Sequence, residues 1–483
     1  MISLIKHCLK ALLYGIIGGC FVLVIIFVLF IENRPELKVW HEAELDVEFT
    51  ANSPVGSFED YLAIEDQLFA QLNERVYARI EPEDRRLINR YHLDSLSNPD
   101  RWSFNWNRTF ELPTDVPRAG VLLLHGMSDS PYSLRSLGQR LHSAGAWVIG
   151  LRLPGHGTAP SGLVRVQWED MAAAVRLAVL HLREKVGESP LFLVGYSNGG
   201  ALAVNYAISM LEDSTLPPVT GLVLISPSIG VTPVAALAKW QARLGRLLGL
   251  NKLAWNSILP EYDPFKYNSF PVNAGNQVYR ITNEIQSRIE AIGAAGKLNR
   301  FPPILAFQSV VDATVSTQAV ADRLFKKLPV NGYELVLFDI NRVSEVEQVL
   351  IKDPKPGIEA MFHDANLPFT LSLVTNASEK SYDIIVRQKQ PGNSKINEIS
   401  LGLKWPGGLY SLSHVALPFP MNDPLYGKLK PDDSTMIHLG STDLRGERGV
   451  LQISAADMLR LRWNPFYPYI EKRALEFVRL GNP

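Results

Sequence analysis

Across 483 residues the sequence has only two cysteines, Cys8 and Cys20, and both fall in or beside the first hydrophobic run. The remaining chain can form no internal disulfide, so core packing alone must hold it. An excess of either charge is also lacking: 48 Lys and Arg against 49 Asp and Glu leave a formal net charge of −1. With no basic field to recruit it, no nucleic-acid partner is expected. No internal repeat or low-complexity segment is present, so a repeat architecture is not expected either. What is there is an ordinary globular balance, 46% apolar and 20% charged. The length suffices for one large domain with insertions, or for two ordinary ones.

Among the hydrophobic runs, Ala11 to Ile31 has the length of about 20 residues that crosses a bilayer core. It holds Tyr14, Gly15, Gly18, Gly19 and Cys20 but no formal charge. Lys6 and Lys10 precede it, and Glu32, Arg34, Glu36 and Lys38 follow. A cleaved signal peptide would have a shorter apolar stretch and a small-residue cleavage site. Ile17-Gly18-Gly19-Cys20 loosely resembles a lipoprotein box, but the apolar run continues for about ten residues where a mature lipoprotein turns polar. Residues 1–33 are therefore expected to be an uncleaved anchor. The free amino terminus with Lys6 and Lys10 tips the orientation toward N-terminus inside. The large domain then sits outside the cytoplasm, on the periplasmic side of an inner membrane if the cell is Gram-negative.

Residues 34–117 read as a polar juxtamembrane stretch followed by a helix. Ser57 opens that helix with Asp60 three residues on, as in a capping box. Tyr61, Ile64, Leu68, Leu72, Val76 and Ile80 recur at helical spacing and predict one buried face. From Ala119 the pattern becomes short apolar runs alternating with amphipathic helices. Strands are expected at Val121–Leu124, Ala146–Leu151, Leu191–Gly195, Leu222–Ile225 and Ile304–Phe307. Helices are expected at Tyr132–Ala144, Trp168–Val186 and Gly199–Leu211. Strands alternating with helices imply parallel βαβ units with both sheet faces covered, hence an α/β fold over 118–483. Two stretches interrupt the rhythm. Residues 230–300 carry an amphipathic helix with Val234, Leu237, Trp240, Leu244, Leu247 and Leu248 on one side, placed where a cap could cover one end of the sheet. Residues 341–410 mix loops with strand-like runs at Phe369–Val374 and Tyr382–Val386. A final helix is expected around Ile470, Ala474, Phe477 and Val478.

Gly195-Tyr196-Ser197-Asn198-Gly199 matches G-x-S-x-G, a pattern that average Gly and Ser usage produces about 0.1–0.2 times in a chain of this length. Its context is more specific. It follows an apolar strand and opens a helix, the setting in which a strained turn lifts a serine hydroxyl above a sheet. Side chains at the glycines would clash where the turn folds tightly. His125-Gly126-Met127-Ser128 ends an earlier strand. Acyl transfer builds negative charge on a carbonyl oxygen, and the backbone N–H groups of Met127 and Asn198 are placed to stabilise it. His125 is expected to orient this loop rather than transfer protons, and Gly155-His156-Gly157 receives the same structural reading.

His125-Gly126-Met127-Ser128-Asp129-Ser130-Pro131, Leu153-Pro154-Gly155-His156-Gly157-Thr158 and Gly195-Tyr196-Ser197-Asn198-Gly199-Gly200 occur in that order. Over about residues 118–316, and more weakly around His414, the sequence resembles the carboxylesterase and monoacylglycerol-lipase branch of the α/β-hydrolases. The resemblance implies an α/β-hydrolase fold and ester hydrolysis through a Ser–Asp–His triad, with no metal or organic cofactor. The triad acid follows the strand Ile304–Phe307, where Asp312 matches the family's Asp shortly before Val; its role is to fix the histidine tautomer. Asp339, after the strand-like Leu335–Phe338, is the reserve. The histidine follows the acid, leaving His363, His414 and His438. His414 follows the Gly407-Gly408 turn and precedes a Pro-rich loop, and it is taken as the general base for Ser197. His438 lies in an apolar, strand-like run that suggests packing, and His363 lies mid-insertion. Compact members place the histidine one strand and loop after the acid, whereas about 100 positions separate Asp312 from His414 here.

The substrate implied is a small-molecule ester with an apolar acyl chain, and the anchor points to monoacylglycerols or lysophospholipids. A thioesterase, acyltransferase or peptidase would use the same three residues. A dehalogenase or epoxide hydrolase would need Asp at position 197. A reading from another class is a membrane-tethered binding protein on a hydrolase fold. Protein partners leave no mark on the sequence.

Overall fold

The computed structural model describes residues 2–230, 250–344, 350–430, 436–441, 447 and 450–481. The N-terminal apolar run lies in one helix, Ile2–Glu32. Its part Ile5–Glu32 is long and apolar enough to cross a membrane, and none of its most apolar window is buried against the rest of the chain.

The described residues of the domain form twelve strands: β1 (Phe110–Leu112), β2 (Ala119–Leu124), β3 (Ala146–Leu151), β4 (Leu191–Tyr196), β5 (Gly221–Ile225), β6 (Trp255–Ser257), β7 (Phe270–Pro271), β8 (Ile304–Ser309), β9 (Glu334–Phe338), β10 (Thr370–Ser378), β11 (Ser381–Lys389) and β12 (Ile396–Lys404). Ten of them form one sheet in the order β1-β3-β2-β4-β5-β8-β9-β10-β11-β12, and β6 pairs with β7 apart from it. Pairing is parallel from β3 through β10. It is antiparallel where β1 joins one edge and where β11 and β12 extend the other. Every residue of β2, β4, β5 and β8 is buried. Covering both sheet faces requires that, which is why these strands read as unbroken apolar runs.

Successive side chains of a strand point to opposite faces. Leu122 and Leu124 of β2 accordingly join the core formed with helices Trp168–Val186, Asn198–Glu212 and Val272–Ala294. Val121 and Leu123 join the opposite core, with Leu137, Leu141, Ile470 and Ala474 of helices Arg135–Ser143 and Tyr467–Phe477. The result is a three-layer α/β sandwich.

In the N-terminal part, the Ser57 hydroxyl accepts from the N–H of Asp60 at 3.1 Å and caps helix Phe58–Arg75. This helix is shorter than the spacing of apolar residues predicts. It ends at Arg75, and Val76 and Ile80 are buried from a short turn that follows. Residues 231–249, with the expected helix Val234–Leu248, lie outside the described residues. Farther on, Ile281, Ile285, Ile289 and Ile292 of helix Val272–Ala294 join the same core as helix Asn198–Glu212. Within 341–410 the strand-like runs fall in β10 and β11, which continue the main sheet rather than standing apart from it.

Candidate active site

Ser197 sits between β4 and helix Asn198–Glu212 with φ 53° and ψ −116°. A non-glycine residue held there costs on the order of 1–3 kcal/mol, so the surroundings must over-determine it. They do so through backbone hydrogen bonds. The Ser197 N–H donates to the Ile225 carbonyl at 2.9 Å, and the Ser197 carbonyl accepts from Ser228 and Gly200, both at 3.0 Å. Glycine is sterically required beside it: a Cβ on Gly195 would lie 2.5 Å from the Gly199 carbonyl oxygen, and one on Gly199 would lie 2.0 Å from that of Leu124. The Ser197 hydroxyl is buried and lies 3.4 Å from the Ser228 hydroxyl.

Asp312 follows β8, and its Oδ2 lies 2.7 Å from His414 Nδ1. Oδ1 accepts from the N–H groups of Thr314 at 2.8 Å and Val315 at 2.9 Å, while Oδ2 also accepts from Gln308 Nε2 at 2.9 Å. Burial works against the charged carboxylate. The His414 imidazole and these N–H donors outweigh it and hold the Asp312 pKa below the ordinary aspartate value. A carboxylate can only accept, so Nδ1 of His414 carries the proton and Nε2 of the neutral ring is the basic nitrogen. His414 is buried, and its ring lies 5.3 Å from that of Tyr196, the residue before Ser197. The Tyr196 hydroxyl also donates to the His414 carbonyl at 3.4 Å. The Ser197 turn, His414 and Asp312 are thereby brought together, although the hydroxyl of Ser197 is directed to Ser228.

The loop after β2 lies against the same turn, for a Cβ on Gly126 would be 3.2 Å from Ser197 Cβ. This loop carries Met127, and Asn198 opens the helix after Ser197. Among the described residues neither backbone N–H has a hydrogen-bond acceptor. His125 donates from Nδ1 to the Gly126 carbonyl at 2.9 Å and accepts from the Leu153 N–H on Nε2 at 3.1 Å. Both ring nitrogens are occupied in holding backbone. Burial, reinforced by the neighbouring His156, pushes its pKa well down. His156 Nδ1 donates to the Pro154 carbonyl at 2.9 Å, and burial lowers its pKa to about 4.

The other candidates lie in different surroundings. Asp339 accepts from Arg342 at 2.6 and 2.8 Å and from Thr375 at 2.8 Å. His363 is exposed, at the end of helix Lys355–His363. His438 lies in a loop rather than the strand-like run expected, with Nδ1 3.1 Å from Ser441 Oγ. Ser228 and Gln308 reach the site without any motif to mark them.

Residues 115–340 match the model of the serine aminopeptidase S33 hydrolases. A thermostable monoacylglycerol lipase of Bacillus sp. (strain H-257) is 26% identical over 217 residues, 45% of this chain and 79% of the relative. The chain has the α/β-hydrolase fold and is similar to its monoacylglycerol lipase-like branch. A second relative of this hydrolase, the phospholipase YtpA of Bacillus subtilis, is 26% identical over 157 residues, 30% of this chain and about half (51%) of its own length. Among solved structures, a metagenome-derived lipolytic enzyme is 24% identical, covering 49% of this chain and 89% of its own, with a TM-score of 0.38. The family match includes Ser197 and Asp312 and ends before His414.

Proposed function

We propose that this hydrolase is a membrane-anchored serine esterase that cleaves carboxylic esters through an acyl-enzyme on Ser197. The observation that carries the reading is the 2.7 Å hydrogen bond between Asp312 and His414 beside the strained serine turn. In this mechanism the Ser197 hydroxyl leaves Ser228 and turns to His414. Nε2 takes its proton as Oγ attacks the ester carbonyl, and Asp312 stabilises the imidazolium. The N–H groups of Met127 and Asn198 receive the negative charge on the carbonyl oxygen. His414 then passes its proton to the departing alcohol and activates the water that releases the acid.

Monoacylglycerols or lysophospholipids are the substrates we favour, in keeping with the names of the two Bacillus relatives. Two residues past the end of the apolar helix, Arg34 donates to the carbonyls of Lys252 at 2.8 Å and Trp255 at 2.7 Å. That contact adjoins a cavity of about 1120 Å³ lined by Leu37, Phe49, Trp255 and Val272 together with charged groups such as Glu42, Asp170 and Arg280; none of Ser197, Asp312 and His414 lines it. With the helix as an anchor, N-terminus inside, a lipid leaving the bilayer meets this side of the domain first. The name of the matched family favours a second reading, an aminopeptidase using the same residues.

The test is to assay the full chain in detergent on p-nitrophenyl esters of increasing acyl length and on amino-acid p-nitroanilides, beside Ser197→Ala. Ester hydrolysis that falls by at least about a thousandfold in the variant is expected, with a chain-length optimum. Faster anilide than ester cleavage would favour the peptidase. A folded wild type that hydrolyses neither and resists a serine-directed fluorophosphonate would leave the tethered binding protein as the better reading.

A further inference from the structure

Arg152, the first residue after β3, is wholly buried, and much of what surrounds it comes from outside the matched family region. Its Nη2 lies 2.9 Å from Glu48 Oε1 and its Nη1 3.0 Å from Glu48 Oε2, a two-pronged pair. Nε donates to Glu65 Oε2 at 3.1 Å, and Nη1 also donates to the His156 carbonyl at 3.1 Å. Glu48 makes a further contact that Glu65 does not: its Oε2 accepts from the N–H of Gly155 at 2.8 Å. One carboxylate, borne on the segment that follows the N-terminal helix, thus clamps both the start and the middle of the loop 152–158.

That loop leads to the site by a short chain of hydrogen bonds. The N–H of Leu153, next to Arg152, donates to His125 Nε2, and His125 Nδ1 donates to the Gly126 carbonyl. Gly126 lies against Ser197, and Met127 follows it. A peptide carbonyl and the N–H of the next residue belong to one rigid plane. Fixing the Gly126 carbonyl therefore fixes the direction of the Met127 N–H.

We infer that Glu48 is a positioning residue for the oxyanion-binding N–H of Met127, acting through Arg152, the 152–158 loop and His125. The juxtamembrane segment is thereby a working part of the active site and not merely a spacer to the membrane. This rests on the assignment of Met127 as an oxyanion donor under the esterase reading.

The experiment compares full-length wild type, Glu48→Gln, Glu48→Asp and Glu44→Gln in detergent. Glu44 stands in the same segment but pairs with Arg165 at the surface. The readouts are kcat and KM on a p-nitrophenyl ester, and inhibition by two acyl analogues. One is a trifluoromethyl ketone, which forms an oxyanion adduct, and the other is an unreactive ether of the same chain length. For Glu48→Gln, kcat is expected to fall at least tenfold, and ketone inhibition to weaken in step. KM and ether inhibition are expected to stay within about threefold, Glu48→Asp to lie between, and Glu44→Gln to match wild type. Wild-type kcat in folded Glu48→Gln, or equal weakening of ketone and ether, would overturn the inference. Should Glu48→Gln fail to fold, Glu48→Asp carries the same comparison with the same outcomes. A wild type inactive on every ester would instead overturn the esterase reading beneath it.

Discussion

Gly199 shows how little room a single atom has at this site. A Cβ there would lie 2.0 Å from the Leu124 carbonyl oxygen and 2.7 Å from that of His125, both backbone atoms anchored at the end of β2. Gly199→Ala is therefore expected to lose about 3 kcal/mol or more of stability, measured by chemical unfolding, together with esterase activity. Gly275 offers the contrast within helix Val272–Ala294. The nearest atom to its Cβ position is Phe270 Cε1 at 3.7 Å, so Gly275→Ala should be neutral or stabilising by up to about 1 kcal/mol. Equal stability in the two variants would contradict the packing described for the serine turn. Such steric demands fall on residues adjacent in the chain, so G-x-S-x-G could be read from the sequence. Ser228 and Glu48 could not, because their contacts join positions 31 and more than 100 residues apart.

The loops after β2 and β3 hold their shape with neutral histidines, and this makes them sensitive to acid. His156 is buried and its pKa is lowered from 6.5 to about 4. The folded state therefore resists protonation that the unfolded chain accepts. Its contribution to stability is complete above pH 6.5 and is lost progressively as pH falls toward 4, by roughly 3 kcal/mol at most. The melting temperature should decline over that interval, and His156→Gln should decline less steeply. Equal slopes would mean that this ring does not carry the effect. At the same scale, the inner strands were legible because burial on two faces demands unbroken apolar runs. Helix Phe58–Arg75 was read too far, because Val76 and Ile80 keep the apolar spacing although tertiary contacts, not helical ones, bury them. The strands β10 to β12 were only partly legible. At the solvent-facing edge few positions need be apolar, and β12 is mostly exposed.

For the molecule as a whole, the proposed role of the N-terminal helix as an anchor would decide where the hydrolase works. On the anchor reading, the full chain should sediment with membranes. Deleting residues 1–33 should release a soluble enzyme whose kcat/KM on a short p-nitrophenyl ester stays within about twofold of the full chain, since Arg34 and Glu48 are retained. Recovery of the full chain as a soluble species shortened at its N-terminus would mean a cleaved leader instead. Motifs and strand order lead to the expectation of Ser197, Asp312 and His414 in that order, while the route between the last two has no such signal. Four strands of sheet, β9 to β12, intervene, and the pairing of β10 with β9 is a long-range contact that no local pattern specifies. That detour sets a timetable. At roughly 5–20 residues per second the ribosome needs about 10–40 s to pass from Ser197 to His414. On the anchor and esterase readings together, the nascent chain can already have entered the membrane and displayed its serine while the base is still unmade. The enzyme is then silent throughout its own biogenesis.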